Sequence, residues 1–87
     1  MYVIMVYDIE VNRVGKVLKI GRKYLTWVQN SVLEGELTNS QFQSLLIELK
    51  DILDEEKDSV VFYLFRTKAY FKRQVVGIDK NEPSQFL

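Results

Sequence analysis

Apolar residues group along this chain in two patterns, and the patterns predict where strands and helices lie. Residues 2–7 and 59–66 are mostly apolar, β-branched or aromatic, which is typical of strands buried on both faces. Between them, apolar residues recur at helical spacing in two segments. Together the patterns predict two central strands and two amphipathic helices.

The first helical segment carries basic residues around its apolar stripe. We predict this helix over residues 13–24, with Asn12 as its N-cap. Gly21 falls on the apolar stripe, where the missing side chain would let the helix approach a sheet closely.

The second helical segment begins at a recognisable start signal. Thr38 and Gln41 match a capping box, in which each side chain satisfies a backbone N–H of the first turn. An acidic run over residues 54–58 ends the helix, and we expect it to be solvated, although its charge is unfavourable near the helix C-terminus.

Two further segments are predicted to be β structure. Residues 26–37 form either one long bent strand or a hairpin, because Asn30–Ser31 and Gly35 are both suitable breaks. Residues 74–78 are predicted to form a final short strand. The remaining polar tail ends in Phe86–Leu87, an apolar tip that we expect to dock on another surface.

This order of elements predicts a ferredoxin-like α+β sandwich, with both helices on one face of an antiparallel sheet. The predicted architecture is βαββαβ with an extra short C-terminal strand; residues 1–78 form the domain and 79–87 the tail. Since both strong strands are apolar on both faces, the face without helices must be buried by another molecule. A homodimer, sheet against sheet, is the simplest solution.

The composition narrows the chemistry that this domain could perform. The 87 residues include neither Cys nor His, which excludes thiol nucleophiles, structural zinc sites and imidazole acid–base catalysis. Chemistry near neutral pH would therefore use carboxylates, hydroxyls, amines or a metal ion held by oxygen ligands. No apolar stretch approaches the roughly 20 residues of a membrane span, and the N-terminus lacks a basic leader, so we expect a cytoplasmic protein with no membrane partner.

The formal net charge of zero conceals a segregation of charge along the chain. Residues 1–30 carry five basic and two acidic side chains, 31–58 carry two basic and eight acidic ones, and 59–73 carry four basic and none acidic. The basic side chains are Arg13, Lys16, Lys19, Arg22 and Lys23 in the first helix, and Arg66, Lys68, Lys72 and Arg73 after the second strong strand. They could follow a nucleic-acid backbone, or they could simply be a solvated helix face and turn.

Asp8 ends the first apolar strand, and ligand sites in sheets favour the carboxyl ends of strands. On position alone, a turn or capping role is the commoner one for Asp. A two-fold axis would make a metal-binding role possible, because two copies of Asp8 near the axis could hold one Mg²⁺ or Mn²⁺ ion together with water. Such an ion could activate water for attack on a phosphodiester without any histidine.

Three features recur together in one known family. Tyr7-Asp8-Ile9 closes an apolar first strand, an Arg- and Lys-rich helix follows, and residues 28–38 read Val-Gln-Asn-Ser-Val-Leu-Glu-Gly-Glu-Leu-Thr. Over nearly the whole chain, this sequence resembles the small CRISPR-associated adaptation protein, the smaller of the two core adaptation proteins.

The resemblance implies roles for particular residues. Asp8 matches the metal-binding acid and Tyr7 its neighbour in the catalytic site. Arg13 matches the basic group at the helix start, and Gln29 and Ser31 match the signature of the second strand.

The resemblance also implies partners and activity. It implies a symmetric dimer that binds duplex DNA and bridges copies of the larger integrase during spacer acquisition. Many family members are also metal-dependent endonucleases that act on DNA or on single-stranded RNA. This chain departs from the common pattern at Gly15, Trp27 and Leu33, where many members carry Arg, Arg and Phe, and the loss of two Arg weakens the expectation of nuclease activity.

Three hypotheses therefore stand at this point. The first is an adaptation subunit with metal-dependent nuclease capacity centred on Asp8. The second is the same dimer acting as a non-catalytic DNA-binding scaffold. The third is a related ribonuclease toxin of the virulence-associated D type, which shares the architecture.

Overall fold

A four-stranded antiparallel sheet and two helices make up the fold. The structure, a computed structural model, describes residues 1–67, 69, 72–78 and 80. In chain order the elements are β1 (Tyr2–Asp8), α1 (Val11–Gly21), β2 (Thr26–Gln29), β3 (Val32–Glu36), α2 (Asn39–Ile52) and β4 (Ser59–Phe65). The sheet order is β2-β3-β1-β4, which confirms the predicted α+β sandwich.

The central strand β1 has two different faces, because successive side chains of a strand alternate. Val3, Met5 and Tyr7 are buried beneath the helices, on what we call the covered face. The alternate positions, which include Ile4 and Asp8, lie on the opposite or open face. In β4 the covered face carries Val60, Phe62 and Leu64, and the open face carries Val61, Tyr63 and Phe65.

Helix α2 begins as the sequence predicts. The Thr38 hydroxyl accepts a hydrogen bond from the Gln41 N–H at 3.1 Å, and the Thr38 N–H donates to Gln41 Oε1 at 2.9 Å. The helix then buries Phe42, Leu45 and Leu49 against the sheet. This confirms the capping box and the helical spacing of apolar residues predicted for this segment.

Helix α1 begins earlier than predicted, and Asn12 is not its N-cap. The cap position is Glu10, whose own side chain makes no capping hydrogen bond, and the helix runs over Val11–Gly21. Gly21 allows the predicted close approach, because a Cβ there would lie 2.5 Å from Leu33 Cδ1. The helix starts earlier because the Asp58 carboxylate accepts a hydrogen bond from the Glu10 N–H.

The ambiguous segment 26–37 is a hairpin. Strands β2 and β3 pair in antiparallel register, and the turn between them contains Asn30 with φ of 40°. Asn is one of the few residues that adopt this left-handed region readily. Gly35, the other candidate break, lies inside β3.

The predicted strand at residues 74–78 is wrong for this chain as described. Residues 72–78 have no regular secondary structure, and Val76 is 90% exposed. Their β-branched composition fits a strand, but a strand also needs a neighbouring strand to pair with. Residues 72–78 pair with no strand of the described sheet. Apart from Lys80, the predicted tail, including its apolar tip, lies outside the described residues.

Candidate functional site

Asp8 is the last residue of β1, and its side chain lies on the open face of the sheet. It is exposed, and its backbone pairs with Ser59 at the start of β4. Within the described part of the chain, the Asp8 carboxylate makes no hydrogen bond and no ion pair. An exposed carboxylate without a structural partner at the end of a central strand is free to bind a ligand.

Tyr7 lies on the other face, so the structure does not bring the two predicted catalytic side chains together. Tyr7 is 5% exposed, and its hydroxyl donates to the Asn30 carbonyl at 3.1 Å. Trp27 Nε1 donates to the same carbonyl at 3.0 Å. Burial raises the pKa of the Tyr7 hydroxyl, so it remains a neutral donor that joins β1 to the β2–β3 turn.

Asp58 is the residue near this site that the sequence interpretation missed. Its side chain has no exposed surface, and it accepts Arg13 Nε at 2.6 Å and Arg13 Nη2 at 3.0 Å. It also accepts the backbone N–H of Glu10 at 2.9 Å and that of Asp54 at 3.0 Å. The prediction that the whole run 54–58 is solvated is therefore wrong at Asp58.

These contacts explain why α1 starts at Val11. The first N–H groups of a helix need acceptors, and the start of a helix favours negative charge. Asp58, which lies 48 residues from Glu10 in sequence, supplies a hydrogen-bond acceptor and a negative charge at this point. No local cap at Asn12 is therefore needed. The hydrogen bonds from Arg13 hold the pKa of the Asp58 carboxyl well below its usual range, with further lowering from the two backbone N–H groups.

The five predicted nucleic-acid-binding cations differ in their surroundings. Lys16, Lys19 and Arg22 are exposed, and they make no ion pair with any residue that the structure describes. Lys23 pairs with Glu48 of α2, which also accepts the Tyr24 hydroxyl. These two donors lower the pKa of the Glu48 carboxyl. Arg13 is occupied by Asp58, as described above.

The exposed lysines are not next to Asp8. Helix α1 packs its Val17 and Gly21 side against the covered face of the sheet, so the exposed helix surface with Lys16 and Lys19 points away from the sheet. The Asp8 side chain lies on the opposite side of the sheet. The first turn of α1 is separated from Asp8 by a loop of two residues, Ile9 and Glu10.

The second basic group is also partly engaged. Arg73 forms an ion pair with Glu34 at 2.5 Å, on the open face. Burial, together with Glu34, raises the pKa of the Tyr2 hydroxyl to about 12. Arg66 and Lys72 are exposed, and Lys68 lies outside the described residues.

The open face also exposes apolar side chains. Val61 is 44% and Tyr63 is 52% exposed, and they pair across strands with Val6 and Ile4. Asp8 therefore lies on the same face as an apolar surface, around Val61 and Tyr63, that the described residues leave partly exposed. None of the described helices is long and apolar enough to cross a membrane.

A divalent metal would find one strong ligand here within a single chain. Among the described residues, no group of three or more acidic side chains could hold an ion. Mg²⁺ often keeps several waters and uses one or two carboxylates, and this requirement fits an exposed, unpaired Asp8 from one or two copies of the chain.

Comparison with known proteins gives a consistent result. The family model described as CRISPR associated protein Cas2 matches residues 1–73. The chain belongs to the Cas2 family. A CRISPR-associated endoribonuclease Cas2 of Dictyoglomus turgidum is 55% identical over 87 residues, covering 100% of both chains. The protein of the same description from Thermotoga maritima is 51% identical over 82 residues and covers 94% of each chain.

Solved Cas2 structures share the fold. One Cas2 crystal structure superposes with a TM-score of 0.84 at 50% identity, covering 94% of this chain and 92% of the other. The sequence resemblance to the small adaptation protein is thereby confirmed. The Cas2 assignment leaves the toxin hypothesis without support.

Proposed function

We propose that this protein is a cytoplasmic homodimer that acts as a CRISPR adaptation subunit and has metal-dependent endonuclease capacity on RNA or DNA. The observation that carries the proposal is the exposed carboxylate of Asp8 at the end of the central strand, which pairs with none of the residues that the structure describes. The endoribonuclease names of relatives about half identical to this chain support the same chemistry.

The open face supports a dimer. Apolar side chains at Val61 and Tyr63 lie uncovered on the face that also carries Asp8. A two-fold contact through this face would bury them and bring two copies of Asp8 toward one axis. The pair of carboxylates would then offer a metal the ligands that one chain lacks.

Asp8 is the residue that would hold Mg²⁺ or Mn²⁺. When bound, the ion would supply an activated water and neutralise charge on the scissile phosphate. The exposed Asp8 carboxylate would bind and orient the ion. The neighbouring Tyr7 hydroxyl donates to the Asn30 carbonyl and so fixes the end of β1 from the covered face. With no histidine in the chain, no imidazole is available to move a proton.

The nucleic-acid surface of the proposal is the exposed side of α1. Lys16, Lys19 and Arg22 project there without ion-pair partners among the residues described, and Lys23 extends the row although it is paired with Glu48. Cations that neutralise phosphates make binding depend on salt concentration. In this proposal the surface binds duplex DNA or single-stranded RNA and lies beside the integrase in the adaptation complex.

The testing experiment removes the charge of Asp8 and retains its shape. Asp8→Asn is expected to reduce Mg²⁺- or Mn²⁺-dependent cleavage of single-stranded RNA and duplex DNA by at least about 100-fold. EDTA should abolish cleavage by the wild type. Asp51→Asn, which neutralises an exposed acid of α2, is the matched control and should keep full activity. Cleavage that persists in Asp8→Asn would remove Asp8 from the reaction.

One observation favours the scaffold alternative. Within the described residues, no group of three acids surrounds a metal position. If the protein is a scaffold, Asp8→Asn should leave DNA binding, integrase capture and spacer acquisition unchanged, and the wild type should show no cleavage above the EDTA background.

A further inference from the structure

The loop that follows Asp8 is fixed from the opposite strand. Ser59 pairs with Asp8 through the backbone, and the preceding residue, Asp58, accepts the N–H of Glu10 at 2.9 Å. The contact between β1 and β4 is thus continued beyond Asp8 by a side chain. Asp8 is exposed, and its side chain has no partner in the part of the chain that the structure describes, but the backbone on both sides of it is held.

The same carboxylate joins the start of α1 to the loop after α2. It caps the start of α1 at Glu10, binds the Arg13 guanidinium through both oxygens, and accepts the Asp54 N–H of the loop after α2. All four hydrogen bonds are made by a side chain with no exposed surface. A bidentate Arg–carboxylate pair with this burial holds its partners in one geometry.

We propose that Asp58 is a positioning residue that orients Asp8 for metal binding, and that Arg13 acts through Asp58 and not as a phosphate ligand. This inference rests on the proposed function of Asp8. Arg13 is held by two hydrogen bonds to a buried carboxylate, so its charge is already compensated and its donors toward that carboxylate are used.

The test compares Asp58→Asn with Arg13→Gln in the full-length chain. Asn keeps one oxygen acceptor for the Glu10 N–H but loses the charge that holds Arg13. If Asp58 positions Asp8, Asp58→Asn should lower kcat by about 10- to 100-fold, as removal of a partner that orients a metal ligand typically does. KM for single-stranded RNA should change by less than about threefold, because no substrate contact is lost.

A second readout is independent of cleavage. Mn²⁺ alone, titrated against ¹⁵N-labelled protein, broadens the amide resonances near its site. We expect broadening around Asp8 to require about tenfold more Mn²⁺ in Asp58→Asn than in the wild type. Asp51→Asn, an exposed acid-to-amide change on α2, should match the wild type in both readouts.

Arg13→Gln separates positioning from phosphate binding. A positioning role predicts a loss of kcat and of Mn²⁺ affinity that is smaller than in Asp58→Asn, because both backbone hydrogen bonds to Asp58 remain, with KM for single-stranded RNA unchanged. A phosphate-binding role instead predicts raised KM, weaker and less salt-dependent RNA binding, and an unchanged kcat; this outcome would overturn the inference. Arg13→Gln leaves both backbone hydrogen bonds to Asp58 in place, so it decides the question if Asp58→Asn does not fold.

The inference and the proposed function can fail separately. If Asp8→Asn abolishes cleavage but folded Asp58→Asn keeps wild-type kcat and Mn²⁺ affinity, only the positioning role is wrong. If Asp8→Asn cleaves normally, the proposed function is wrong, and the Mn²⁺ titration still measures whether Asp58 orients Asp8.

Discussion

The two faces of the sheet are built from alternate residues of the same strands, yet they differ in almost every property. On the covered face, Val3, Met5 and Leu33 have no exposed surface. On the open face, Val61 and Tyr63 are about half exposed, and Asp8 is exposed without a side-chain partner among the described residues. Most covered-face side chains are buried among the described residues, whereas the part of the open face around Val61, Tyr63 and Asp8 is exposed.

This difference separates stability from chemistry. Side chains on the covered face contact the helices, so changing them should unfold the chain. Val61, Tyr63 and Asp8 on the open face are exposed, so changing them should affect association or cleavage and leave the monomer folded. Substitutions matched between the two faces test this distinction.

The largest effect is expected from Leu33→Ala on the covered face. Leu33 is fully buried, and its Cδ1 occupies the space where a Cβ at Gly21 would lie. Removing it should cost about 2–5 kcal/mol of the free energy of unfolding, measured by urea denaturation. Val61→Ala, a truncation on the open face, should cost the monomer less than about 1 kcal/mol. If Leu33→Ala and Val61→Ala lower the free energy of unfolding equally, the covered face does not contribute more to stability than the open face.

The features that the sequence predicts well are those set by local pattern. The continuous apolar character of β1 indicated a central strand with Asp8 at its end, and it also indicated that the helices would leave one apolar face uncovered. The spacing of Thr38 and Gln41 predicted the start of α2. In each case neighbouring residues in sequence supply the interaction.

The features that it misses depend on distant partners. Asp58 looks like one acid in a solvated run, because its partner Arg13 lies 45 residues away. Asn12 resembles a cap only if that carboxylate is ignored. Local sequence offers two good turn signals between β2 and β3 and does not choose between them. The β-branched composition of residues 74–78 favours a strand, but composition does not show whether a partner edge is present.

The second prediction concerns the open face and the proposed dimer. Val61→Lys places a charge on the uncovered apolar surface and should weaken self-association by at least about 100-fold, because an unpaired charge is costly in an interface. Sedimentation equilibrium measures the change, and circular dichroism should show a folded chain. Ile47→Lys is the matched control, since Ile47 is apolar and 68% exposed but lies on α2. If the two variants associate equally, the dimer does not use the open face.

The third prediction uses pH to test the link between α1 and β4. Hydrogen bonds from Arg13 and two backbone N–H groups lower the pKa of Asp58 from its ordinary value of 3.8. A carboxyl whose pKa is lower in the folded state stabilises the fold above its unfolded pKa, and this contribution is lost as pH falls through the folded pKa. The wild type should therefore lose thermal stability as the pH falls below about 4.

Asp58→Asn should remove that part of the acid dependence. At pH 7 we expect its Tm to be roughly 10 °C below that of the wild type, since a buried charged hydrogen-bond network is broken. The Tm difference between the two proteins should shrink toward acid pH, as measured by differential scanning calorimetry. A difference that stays constant from neutral to acid pH would show that the charge of Asp58 contributes nothing to folding.

The smallest effect is expected on the solvent side of α1, which belongs to neither face of the sheet. Gly15 lies in the helix interior, and a Cβ there would meet no atom within 4 Å. Gly15→Ala should therefore stabilise the fold by about 0.5–1 kcal/mol through helix propensity alone, measured by urea denaturation. Gly35→Ala in β3 is the contrasting change, because its Cβ would lie 3.2 Å from Leu25 Cδ2. If Gly15→Ala is neutral or destabilising, the exposed side of α1 carries a constraint that its open surroundings do not explain.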